Sequence, residues 1–265
     1  MIYHNINPTL FKIGFLEIRW YGLMYIFSFI LGYILLKKFF ELRNIEISRE
    51  KYDNLLFYIM LGVIVGGRVG YILFYNLPFY LEHPLNILKV WLGGMSFHGG
   101  AIGVIGFGYL FCRKNQLKFF QMADPAMPIV SLGLLLGRFG NFINGELYGK
   151  VSDLPWAMVF PGSDGKPRHP SQLYEAFLEG ALLFLISYLI LKYNKREGVV
   201  FWSWIGFYGL FRFLVEFVRE PDAHLGYIFW FFTMGQILSS VMIIISVVAL
   251  IILVNRNRQN AEENS

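Results

Sequence analysis

The sequence predicts an all-α polytopic membrane protein, seven transmembrane helices with a small external cap, and three observations predict it. Of 265 residues, 56% are apolar and only 15% charged, where a soluble domain runs at roughly 45–50% and about 25%. Apolar runs of about 20 residues, the length needed to cross a hydrocarbon core of about 30 Å, recur along the chain. Lys and Arg fall unevenly on alternate connections. The hydrophobicity excludes disorder, and the single cysteine, Cys112, excludes a disulfide scaffold. The net charge of +5 is mild; in such a chain it reports topology, and no nucleic-acid partner is expected.

The expected spans follow in order. The first is 18–36, with Arg19 at its edge. Next come 55–74, interrupted by Arg68, and 92–112, which holds His98 but no acid, lysine or arginine. The fourth, 126–142, is short and carries Pro128 and Arg138. The fifth, 171–191, contains Glu175 and Glu179, and the sixth, 199–218, contains Arg212 and Glu216. The last, 227–254, is uncharged. One set of flanking segments holds thirteen Lys and Arg and the alternate set seven, with Arg68, Arg138 and Arg212 inside spans. This places the N-terminus outside and the C-terminus in the cytoplasm, as an odd number of spans demands. The opening MIYHNINPTLFKIG lacks the basic start of a cleavable signal. Residues 1–265 are expected to form a single integral membrane domain, with loop 144–170 as the external cap and a polar tail from 255. The two halves show no repeat, which weighs against an inverted-repeat transporter.

Charged groups in hydrocarbon are costly and mark interior contacts or function. Arg138 lies in GLLLGRFGNFINGELYG, with Asn141 near the same helical face; Asn144, Gly145 and Glu146 follow where the helix should end. A glycine there permits a tight turn whose N–H groups could receive an oxyanion; the alternative is that Arg138 merely pairs with Glu146 to hold the helix end. Tyr208, Arg212 and Glu216, spaced by four, form one stripe. The Arg–Glu pair can neutralise itself, yet a paired guanidinium keeps spare donors that match two phosphate oxygens. Two embedded cations on the outward halves of their helices suggest an anionic headgroup drawn from the outer leaflet.

His98 lies in GGMSFHGGAIG, where crowding glycines leave an imidazole approachable; its intrinsic pKa of about 6.5 suits proton exchange. His169 reads as a helix start, Tyr21 as an interfacial aromatic anchor, and Cys112 as a packing residue. The ladders Gly62, Gly66, Gly70 and Gly133, Gly137, Gly140 read as helix–helix contacts. The five histidines occur singly, so no metal site is expected, and no nucleotide or GxSxG motif is present.

RWYGLMY at 19–25, GGMSFHGGAIG at 93–103, GRFGNFINGELYG at 137–149, HPSQLYEA at 169–176 and YGLFRFLVEFVREPD at 208–222 together resemble the bacterial prolipoprotein diacylglyceryl transferases. Ala101 stands where that family more often has leucine, and loop 150–168 is compact. The resemblance implies a seven-span inner-membrane enzyme acting at the outer leaflet. It would move the diacylglyceryl group of phosphatidylglycerol onto the lipobox cysteine of a preprolipoprotein, whose signal peptide enters from the membrane, forming a thioether and releasing glycerol phosphate. By motif match it implicates Tyr21, His98, Arg138, Asn141, Glu146, Gly149, Arg212 and Glu216.

The chemistry fits that implication. The phosphate belongs with Arg138 and Arg212, Glu146 and Glu216 orient the guanidinia, and Asn141 bonds the headgroup, beside Tyr21, Tyr208 and Gly149 as further substrate contacts. His98 either accepts the thiol proton or positions lipid. No cofactor is expected, since the phospholipid ester carries the energy. The rivals are an anion transporter lined by Arg68, Arg138 and Arg212, or a lipid-binding scaffold. The inner halves of the spans are nearly bare of charge, which favours a one-sided site.

Overall fold

The computed structural model describes residues 1–14, 16–89, 93–220, 227–228 and 232–262. In chain order the helices are α1 (Trp20–Leu42), α2 (Arg49–Tyr75, with a π-helical turn at Gly62–Gly66), α3 (Leu77–Glu82), α4 (Phe97–Lys114), α5 (Phe119–Asn144), α6 (Ser171–Tyr193, π-helical over Ala176–Leu182), α7 (Val199–Val215) and α8 (Met234–Glu262). Short strands accompany them: β1 (Ile2–Tyr3), β2 (Thr9–Ile13), β3 (Leu16–Arg19), β4 (Met158–Val159), β5 (Tyr227–Ile228) and β6 (Phe232–Thr233). Among the described residues α1, α2, α5, α6 and α8 are long and apolar enough to cross a membrane, and α7 is a shorter apolar helix. The protein is therefore mostly helical, in keeping with a polytopic membrane protein. The expected start of the third span, Leu92, and Pro221, Asp222 and His224 lie outside the described residues.

The helix ends have local causes. Ser48 and Ser96 cap α2 and α4, accepting from Lys51 N at 3.3 Å and Gly99 N at 3.2 Å. The last expected span begins later than the apolar run implies. At its start Gln236 N donates to Thr233 Oγ1 at 3.2 Å while Thr233 N donates to Gln236 Oε1 at 3.1 Å. This reciprocal capping box fixes the helix start after Thr233, and residues 227–228 pair antiparallel with 232–233 instead.

The chain forms two compact units, one of residues 44–122 and one of residues 1–43 with 123–265. In the first, the ladder Gly62, Gly66, Gly70 meets Gly99 and Gly103 on α4; a methyl at Gly70 would stand 2.7 Å from Gly99 Cα. Backbones this close bring dispersion contacts that larger side chains would prevent. Arg68 is 4% exposed and meets no acid among the described contacts. Its guanidinium donates to the carbonyls of Asn86, Ile87, Lys89, Gly93 and Gly94, at 2.5–3.2 Å, and lies over the Tyr80 ring. Five carbonyls of one loop use up the donors that an anion pathway would need.

In the other unit, Gly140 takes the ring of Tyr21 from α1, but Gly133 and Gly137 face open space. The second ladder is therefore a contact at only one of its three positions. β1 pairs with β4 in parallel, and β2 with β3 as a hairpin leading into α1. His4, 3% exposed, follows β1 and packs on Phe160 and edge-on to Phe142. This pins the N-terminal segment to loop 144–170, which folds by bridges of Val151 and Met158 to Arg168. Arg168 holds Glu220 at 2.9 Å and Asp164 at 3.2 Å. The hydrogen bond from Arg168 keeps the Asp164 carboxyl below the usual carboxylate range.

Candidate active site

The site grows from the junction of loop 144–170 with α6. Pro170 precedes the helix, Ser171 Oγ donates to Leu147 O at 3.0 Å, and Gln172 Nε2 donates to Glu146 O at 2.6 Å. These bonds fix the rotation of α6, so that Glu175 and Glu179 point inward, each 0% exposed. The π-turn begins at Ala176, between them. Such turns re-aim side chains within a helix and are frequent at functional sites.

Both carboxylates meet arginines from other helices. Arg138 of α5 places Nε 2.7 Å from Glu175 Oε2, an ionic approach without hydrogen-bond alignment, and donates from Nη2 to Glu179 Oε2 at 3.3 Å. Arg212 of α7 donates from Nη1 to Glu175 Oε1 at 3.0 Å, and the same nitrogen lies 3.7 Å from Glu179 Oε1. Its Nη2 donates to Glu216 Oε1 at 2.5 Å. Arg219, past the end of α7, reaches Glu175 at 3.4 Å and Glu216 at 3.8 Å. Thr233 Oγ1 donates to the other Glu216 oxygen at 2.8 Å. Gly235 leaves room for this carboxylate, since a methyl there would stand 2.6 Å from it. Three guanidinia thus face three carboxylates in a buried, charge-balanced cluster. Burial of such a set is tolerated because each charge has partners in its own shell.

Arg138 and Arg212 are brought together through Glu175 and Glu179, and Tyr208 lies in the field of all four. The Tyr208 ring stacks on Trp204, centroids 5.2 Å apart, and Trp204 Nε1 donates to Ser131 Oγ at 2.7 Å. Glu216 does hold Arg212. Glu146 does not hold Arg138: its Oε1 accepts from Asn141 Nδ2 at 2.9 Å and Asn144 Nδ2 at 3.2 Å. The cause is the left-handed Gly145, φ 67°, which ends α5. Gly145 N donates to Phe142 O and Glu146 N to Asn141 O, curling Glu146 back over the helix end. The same bonds occupy the Gly145 and Glu146 N–H groups of the turn where an oxyanion was expected.

Gly149 is a packing position and not an open contact surface. Its N–H donates to His169 O at 2.8 Å and it bridges to Arg219. A methyl there would collide with the Val218 carbonyl and stand 2.8 Å from His169 Cβ. Burial, with the Lys150 charge, holds the His169 imidazole below its ordinary pKa, and Tyr174 shares a hydrogen bond with its Nδ1. Tyr21 lies against Gly140, next to Asn141, with its hydroxyl 3.2 Å from that of Tyr25. His98 occupies the first turn of α4 in the unit 44–122, where it is exposed. Sequence reasoning gave no role to Glu175, Glu179 or Arg219. The signal for the two acids was their presence, four residues apart, in an apolar span.

Residues 8–252 match the family model described as prolipoprotein diacylglyceryl transferase. A phosphatidylglycerol–prolipoprotein diacylglyceryl transferase of Geobacter sulfurreducens is 51% identical over 258 residues, covering 97% of this chain and 99% of the relative. Proteins of the same name are 49% identical over 264 residues in Aeromonas hydrophila, covering 100% of this chain and 96% of the relative, and 50% identical over 247 residues in Vibrio cholerae, covering 93% and 91%. A model matched over most of the chain, and relatives half identical over nearly all of it, show that the chain belongs to the prolipoprotein diacylglyceryl transferase family.

Proposed function

We propose that this chain is a transferase that moves the diacylglyceryl group of phosphatidylglycerol onto a prolipoprotein, at the cysteine thiol of the lipobox. The observation that carries the reading is the meeting of Arg138 and Arg212, on different helices, at the carboxylates of Glu175 and Glu179. In this reading the chain is one membrane domain of seven spans in the bacterial inner membrane. Its N-terminus and the capping loop 144–170 face outside, and the site opens to the outer leaflet. The acyl chains stay in the bilayer while the signal peptide approaches from the side.

In the reaction the sulfur attacks the glyceryl carbon, and the carbon–oxygen bond to phosphorus breaks with its electron pair on the phosphate oxygen. The thiol proton leaves to a general base. A free cysteine, of pKa about 8.5, is only a small fraction thiolate at neutrality, so this proton transfer matters. Charge gathers on the departing phosphate, and preorganised guanidinia favour that charge more than the starting diester. Asn141, oriented by Glu146, and Tyr21 beside it line the approach of the headgroup, with Tyr208 at the inner wall.

The test supplies purified chain with labelled phosphatidylglycerol and a lipobox peptide. Label on the peptide cysteine with release of glycerol phosphate is expected. Anion flux through proteoliposomes without transfer would decide for a transporter, and lipid binding without either for a scaffold. A second expectation concerns Gly149→Ala. Its methyl pushes the 218–219 backbone away and shifts Arg219 from Glu175; displacement on the order of 1 Å costs about a hundredfold in rate. Overpacking also removes about 1–3 kcal/mol of stability. Unchanged transfer by this variant would show that the Gly149–Arg219 bridge does not position the cluster.

A further inference from the structure

We propose that Glu179 takes up a proton when the phosphate headgroup enters the arginine cluster, so that lipid affinity is linked to pH. The proposal rests on the headgroup reading above and deepens it. The resting cluster is already neutral: Arg138, Arg212 and Arg219 face Glu175, Glu179 and Glu216. A phosphodiester brings one negative charge, and two of the donors that tie the cluster together, Arg138 Nη2 and Arg212 Nη1, already serve carboxylates. Admitting it without compensation would leave an unmatched anion in a buried site, which is strongly disfavoured. Phosphate oxygens that take these bridging donors displace a carboxylate, and in a cluster already neutral the displaced carboxylate is the group to shed its charge.

The geometry singles out which one. Glu175 is held by three arginines, at 2.7, 3.0 and 3.4 Å. Glu216 is held by Arg212 at 2.5 Å, by Arg219 and by the Thr233 hydroxyl. Glu179 has the loosest hold: its nearest cations are Arg138 at 3.3 Å and Arg212 at 3.7 Å. It is 0% exposed, so water cannot replace those cations. The groups facing it are Arg138 from α5, Arg212 and Tyr208 from α7, and Glu175 on its own helix. Of these, Glu175 repels it and Tyr208 is neutral. Once phosphate oxygens take the Arg138 Nη2 and Arg212 Nη1 donors, Glu179 stands beside an anion and a second carboxylate, and the neutral acid is the stable form.

The test is calorimetric titration of the full chain in detergent with short-chain phosphatidylglycerol, in two buffers of different ionisation enthalpy near neutral pH. The buffer dependence of the heat counts protons. Uptake of about one proton per lipid is expected, with affinity falling about tenfold per pH unit between the free and lipid-bound titrations of Glu179. In Glu179→Gln, uptake should vanish and affinity become independent of pH, a change that loss of packing alone would not produce. Binding by the native chain with no buffer dependence, or undiminished uptake in Glu179→Gln, overturns this inference and leaves the headgroup reading intact. No binding of phosphatidylglycerol at all overturns the headgroup reading and this inference with it. Should the variant not fold, absence of buffer dependence in the native chain still overturns the inference.

Discussion

Replacing Arg212 by glutamine is expected to lower transfer from phosphatidylglycerol to a lipobox peptide about a thousandfold, the scale on which a preorganised charge acts on a developing oxyanion. Arg212 touches all three acids of the cluster, at 3.0, 3.7 and 2.5 Å. Its loss therefore also strands buried carboxylates, at about 3–5 kcal/mol. The two effects separate in the double variant Arg212→Gln with Glu216→Gln. Removing both charges of the closest pair should restore most of the stability, read by unfolding in detergent, and none of the transfer. Arg212→Lys should recover only part of it, because an ammonium offers a point charge where a fork bridges two carboxylates. Transfer regained by the double variant would mean that Arg212 serves the fold alone.

Why the arginines were legible in the sequence and their partners were not follows from what each inference needs. An arginine in an apolar run is costly wherever it points, so Arg138 and Arg212 declare themselves without knowledge of the fold. Pairing depends on helix rotation. Glu146, eight residues beyond Arg138, looked like its partner. One left-handed residue, Gly145, turns the chain so that Glu146 serves Asn141 and Asn144 instead. The true partners lie on α6, whose rotation is set by Ser171 and Gln172 bonding the carbonyls of Leu147 and Glu146. Those are contacts between segments more than twenty residues apart, and no local pattern announces them.

The apolar runs located helices but not their ends: α1 continues to Leu42 past the expected 36, α2 starts at Arg49 before 55, and α5 starts at Phe119 before 126. Tyr227 to Phe232 is apolar enough to extend the last span, but the Thr233–Gln236 capping box starts α8 at Met234. That signature was present in the sequence and was outweighed by hydrophobicity. β1 was not foreseeable: two residues at the N-terminus pair with Met158 and Val159, a partnership that only the folded chain defines.

A stability effect as large is expected far along α5 from the arginine cluster, at Asp124→Ala. Asp124 is 0% exposed and accepts from Gly198 N at 2.8 Å and Phe201 N at 2.9 Å. It therefore caps α7 from another helix, at a start where Gly198 supplies no side chain of its own. It also lies 3.5 Å from Arg43, whose guanidinium donates to Leu191 O and Asn194 O at the end of α6. One carboxylate thus ties the end of α1 and the end of α6 to the start of α7. Its removal leaves two buried N–H groups without an acceptor and a buried guanidinium without a counter-charge, a loss of about 3–5 kcal/mol. Asp124→Asn keeps one acceptor oxygen and should lose less. Transfer per folded molecule should stay at the native level in both, because Arg138 and Arg212 are held at the site by Glu175 and Glu179, whose helix α6 is fixed independently at Ser171 and Gln172. Unfolding in detergent and turnover corrected for the folded fraction check the two halves of the expectation. A turnover loss that tracked the stability loss would show that the helix-end tie also sets the geometry of the arginines.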